Sequence, residues 1–60
     1  MNKSFYSKTR ATQYFYDYCD DEICFLIYDL ENDVYSVVDE DQLRHLQNEF
    51  NLAMDILMES

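Results

Sequence analysis

The 60 residues contain no glycine, no proline and no tryptophan, one histidine, and four lysines and arginines against thirteen carboxylates. Each scarcity excludes something. Without glycine there is no phosphate-cradling loop, and the turns must be made by Asp and Asn, which tolerate left-handed backbone angles better than other side chains. With His45 alone, and no serine or cysteine in a nucleophile motif, the chain carries no acid-base constellation, so an enzyme is not expected. No apolar run has the length of an export signal or a membrane span, so a reducing cytoplasm is the expected compartment, with Cys19 and Cys24 as buried thiols.

What is present is aromatic and acidic. Hydrophobic residues make up 48% of the chain and aromatics 17%, too rich for a disordered acidic tail, so one folded domain spanning 1–60 is expected. The formal charge is −9, and it is uneven: Lys3, Lys8 and Arg10 sit in the first ten residues, while all thirteen acids and only Arg44 follow. A body this negative repels DNA, RNA and anionic membranes, and its natural partners are basic surfaces.

Two Asp/Asn-rich stretches, "CDDE" at 19–22 and "LEND" at 30–33, divide the middle of the chain into three β-rich runs: Thr12 to Cys19, Glu22 to Asp29 and Val34 to Val38. The run "EICFLIYD" is apolar on both faces and reads as a central strand with something packed on each side. From Asp39 the period changes. Leu43, Leu46, Phe50, Ala53 and Leu57 mark one stripe of a helix. Asp39 as N-cap with Gln42 forms a capping-box pair, Val38 and Leu43 a hydrophobic staple, and Glu40 and Asp41 suit the helix dipole. The expected fold is α+β: a three-stranded antiparallel meander over 12–38 and one amphipathic helix over 39–58, preceded by a basic arm at 1–10. In this βββα layout one tyrosine-rich sheet face lacks cover, and a bare apolar face marks an interface.

Read as a strand, Tyr14, Tyr16 and Tyr18 form one row, with Asp17 between them. Tyrosine offers rigid contact area with a polar tip, as binding surfaces use it. The carboxylates form groups at Asp17, Asp20, Asp21 and Glu22, at Asp29, Glu31 and Asp33, and at Asp39, Glu40 and Asp41, the last largely explained by capping. The first two groups and the three tyrosines are the candidate partner-binding residues, because carboxylates held on a scaffold approach the charge density of a phosphate row and offer bidentate acceptors to arginine. His45, Leu52 and Ile56 fall outside the main helical stripe and form a second apolar patch that would join two copies. No metal or cofactor is expected: "DLENDVYSVVDE" has the acids of a calcium loop, but Val34 stands where glycine is needed.

In size, acidity and lack of catalytic groups the chain resembles phage-encoded host-takeover proteins of the anti-restriction and anti-CRISPR type, a resemblance of composition. It implies a non-catalytic inhibitor that occupies the basic groove of a nucleic-acid-handling protein. Two other readings stand beside it: a structural or assembly subunit, or obligate oligomer, whose tyrosine-rich face is an interface, and an antitoxin-like neutraliser of a basic toxin.

Overall fold

The computed structural model describes residues 2–19, 22–49 and 53–60. The elements run β1 (Lys3–Phe5), α1 (Lys8–Tyr18), β2 (Cys24–Asp29), β3 (Val34–Asp39), α2 (Glu40–Asn48) and β4 (Met54–Glu59). All strand pairs are antiparallel, and the sheet order is β1-β3-β2-β4. The βββα expectation is therefore wrong: the sheet has four strands, there are two helices, and neither sequence-end segment is what the pattern suggested.

The first correction falls on Thr12 to Cys19, which is helix and not strand. Ser7 caps it, its hydroxyl oxygen accepting from the Arg10 N–H, and the Thr12 hydroxyl bonds back to the Lys8 carbonyl at 2.8 Å. Tyrosine and phenylalanine favour strands only weakly, and burial decides between the two periods. Ala11, Phe15 and Cys19 recur at helical spacing and enter one core with Cys24, Leu26 and Val37. The residues before them are no loose arm, since β1 pairs with β3 through Lys3 opposite Val37 and Phe5 opposite Tyr35.

The second correction falls on the C-terminal helix. Its start is as expected: Asp39 is the N-cap, its Oδ1 accepts from the Gln42 N–H at 2.8 Å, and Val38 and Leu43 share a core cluster. Yet the helix ends at Asn48, and residues 54–59 form a strand on the free edge of β2. The stripe that pointed to a long helix contains Leu57, but "MDILME" also fits a strand beside an apolar neighbour, and pairing with β2 prevailed. Phe50 lies outside the described residues.

β2 and β3 are strands as expected, and the turn between them is the expected one. The Asp33 N–H bonds the Asp29 carbonyl at 2.9 Å, and Asp33 takes the left-handed conformation at φ 55° in place of a glycine. β2 is central and covered on both faces. Cys24 and Leu26 point toward α1 together with Val37, while Ile27 and Val38 meet Leu43 of α2 on the other side. The molecule is a helix, a sheet and a helix in three layers.

Candidate protein-binding surface

Because α1 covers one sheet face and itself carries the tyrosines, the bare tyrosine-rich face does not exist. On a helix the three tyrosines no longer form a row. Tyr14 and Tyr18, four residues apart, stack with ring centroids 4.6 Å apart, and Tyr14 also meets Phe5 at 5.4 Å, so Tyr14 is half-buried beside the core. Tyr16 leaves in another direction, its ring edge-on to Phe15 at 5.9 Å. Tyr16 and Tyr18 are 61% and 59% exposed, and Asp17 between them is exposed too.

The candidate carboxylates are divided. Asp29, Glu31 and Asp33 sit at the β2–β3 turn, where two of them hold the turn together. Asp29 accepts the backbone N–H of Glu31 and of Asn32 and the Asn32 side-chain amide at 2.8 Å. The Asn32 amide, first among these, holds the Asp29 carboxyl below its ordinary value. Asp33 Oδ1 accepts from the Tyr28 hydroxyl at 2.6 Å, and this bond pushes the Tyr28 phenol up to about 12. Glu22 lies at the opposite end of the sheet, exposed, and Asp20 and Asp21 lie outside the described residues.

That opposite end gathers a different set. The register puts Cys24 beside Asp39 and Phe25 beside Glu59, and the Ser60 hydroxyl bonds the Glu22 carbonyl at 2.8 Å. Glu22, Asp39, Glu40, Asp41 and Glu59 therefore come from three separate segments to one end of the sheet. Asp39 is held below its ordinary value by the Gln42 N–H. Glu40 pairs with Arg44 at 3.0 Å, an exposed contact of small energy. Among the described residues Lys3, Lys8 and Arg10 form no ion pair. Sequence reasoning assigned 39–41 to capping and had no means of bringing Glu59 to them, because that proximity follows from β4 pairing with β2.

Of the expected dimer patch, His45 is exposed on α2, Ile56 is on β4 and not on the same helix, and Leu52 lies outside the described residues. What stays open is part of the sheet face beneath α2. Nine residues of helix cover it incompletely, leaving a cleft of about 610 Å³ whose walls include Ile27, Val34, Val38 and Leu46, with the Ser4 and Ser36 hydroxyls bonded to each other at 2.9 Å beside them. Both cysteines are buried thiols in the α1 core. Among the described residues no group of His, Cys, Asp and Glu has the arrangement of a metal site, and no helix is long and apolar enough to cross a membrane.

Compared with known proteins, the chain matches no family model, no curated protein and no solved structure. The fold is that of a small α+β protein with an antiparallel sheet between two helices.

Proposed function

We propose that this chain is a non-catalytic acidic protein of the host cytoplasm that binds a nucleic-acid-handling protein and occupies its basic groove, as phage anti-defence factors do. The observation that carries this reading is the gathering of Glu22, Asp39, Glu40, Asp41 and Glu59 at one sheet end. Carboxylates held together on a folded scaffold offer bidentate acceptors to the arginines of such a groove. The surface for this role is the acidic sheet end, with Asp17, Tyr16 and Tyr18 on the exposed side of α1; Asp29 and Asp33 serve the turn instead.

The test is affinity capture on the immobilised chain at low and high salt, followed by competition with DNA. A basic protein is retained at low salt, released as the Debye length contracts from about 10 Å toward 3 Å, and displaced by DNA. Neutralising Glu22→Gln, Asp41→Asn and Glu59→Gln together, which spares the Asp39 cap, weakens that capture at least tenfold. Retention that survives both high salt and the triple substitution would refute the reading.

A second reading, an assembly subunit, is favoured by the open cleft beneath α2. It calls for a contact governed by Leu46 and Val34 and nearly insensitive to salt.

A further inference from the structure

The sheet has two edges, and they differ. β1 is three residues long and carries Lys3. β4 is six residues long, follows Arg44 in a stretch with no lysine or arginine, and among the described residues pairs with β2 alone. Two backbone bonds fix which of its groups are spent. Leu30 N–H bonds the Ala53 carbonyl and Ser60 N–H bonds the Cys24 carbonyl, both at 3.0 Å. Alternation from these two bonded pairs, across the register shift between Leu26 and Ile27, puts Met54, Ile56 and Glu59 in the pairs whose N–H and C=O groups face away from β2.

The side chains on this edge are of two kinds. Ile56 is 48% exposed and Leu57 40%, and exposed carboxylates stand on either side of them at Asp55 and Glu59. A second copy of the chain is a poor occupant. It would bring another −9 and the same two carboxylates to the contact, where like charges repel. A strand with aliphatic residues and cations fits all three features: backbone groups to bond, isoleucine and leucine to cover, and carboxylates to pair.

We propose that β4 is a docking edge that accepts, as a fifth strand, an extended segment of a partner protein carrying lysine or arginine beside aliphatic residues. The proposal rests on the reading of this chain as a binder of basic proteins and names the contact that supplies backbone affinity, with the acidic sheet end adjoining it at Glu59. Main-chain bonds give such added strands their affinity, and the side chains give the selectivity.

The experiment uses the full chain, isotopically labelled, titrated at low salt with a ten-residue peptide alternating lysine and valine, and in parallel with one alternating glutamate and valine. The lysine peptide is expected to shift the amide signals of Met54, Ile56 and Glu59 and to slow their hydrogen exchange at least tenfold, while the glutamate peptide does neither. Ile56→Pro removes an outward N–H without touching a bond to β2 and is expected to weaken binding at least tenfold. Should that variant misfold, Asp55→Lys with Glu59→Lys, two exposed positions, is expected to reverse the preference between the peptides. Shifts confined to Glu22 and residues 39–41 overturn the docking edge and leave the basic-partner reading standing. No response to the lysine peptide anywhere on the chain counts against both, and a dimer joined through β4 in the absence of peptide overturns the choice of occupant.

Discussion

The Tyr28 hydroxyl donates to Asp33 Oδ1 across 2.6 Å, tying β2 to the turn residue that stands at positive φ. Tyr28 also lies opposite Tyr35 on β3, their ring centroids 4.8 Å apart, so one residue links the turn to the body of the hairpin. The phenol is neutral in this arrangement, and the bond to Asp33 raises its ionisation to about 12. Ultraviolet titration of the six tyrosines is expected to show one ionising well above the ordinary value of 10. Asp33→Gly keeps the backbone angle and removes the acceptor, and it returns that phenol toward 10. By linkage, the stabilisation from this raised value is complete below pH 10 and disappears as pH rises toward 12.

Asp39 caps α2, and its carboxyl is held below 3.8 by the Gln42 N–H. A lowered carboxylate value means stability that is present above the unfolded value and lost as pH falls through the folded one. Urea denaturation of the native chain is therefore expected to show a loss of stability below about pH 4, to which Asp29, lowered by Asn32, contributes as well. Asp39→Ala is expected to cost about 1 kcal/mol at neutral pH and to flatten that acid limb. An unchanged denaturation midpoint in the variant would remove the cap from the account of α2.

Ala11 has no exposed surface and stands where α1 presses on the sheet. Ala11→Leu inserts volume into that contact and is expected to destabilise the chain by about 1–3 kcal/mol, measured as a lowered thermal midpoint. The same replacement at Gln13, exposed on the same helix, is expected to change stability by less than about 0.5 kcal/mol. Equal effects at the two positions would contradict the helix and its orientation.

Cys19 and Cys24 are buried in the α1 core. A thiol reagent is expected to label neither at an appreciable rate in the folded chain and both on unfolding in urea, so that the labelling rate reports opening of the core. Rapid labelling of either under native conditions would place it at the surface.

The boundary at Asp39 was legible because it rests on local chemistry: a carboxylate that caps, an amide N–H three residues on, and a staple between Val38 and Leu43. The β2–β3 hairpin was legible for a similar reason, since "LEND" offers side chains suited to a turn that needs a left-handed residue. The two misread segments share a different property. "QYFYDY" alternates tyrosine at a period of two and also supplies Phe15 with Ala11 and Cys19 at a helical period. "NLAMDILMES" extends a helical stripe and also fits a strand. In each, two periods coexist in the side chains, and the local sequence contains no term large enough to choose between them.

Composition and local chemistry by themselves determined a folded acidic chain, the central apolar strand, its hairpin partner and the start of α2. Only tertiary structure decided that α1 covers the sheet face on which Leu26 and Val37 lie, that β4 occupies the edge of β2, and hence which carboxylates become neighbours. The physical reason is that an apolar strand such as β2 must bury both faces and bond both edges. That requirement is met by whichever distant segments fit it, and a segment whose own pattern is ambiguous takes the conformation that meets it.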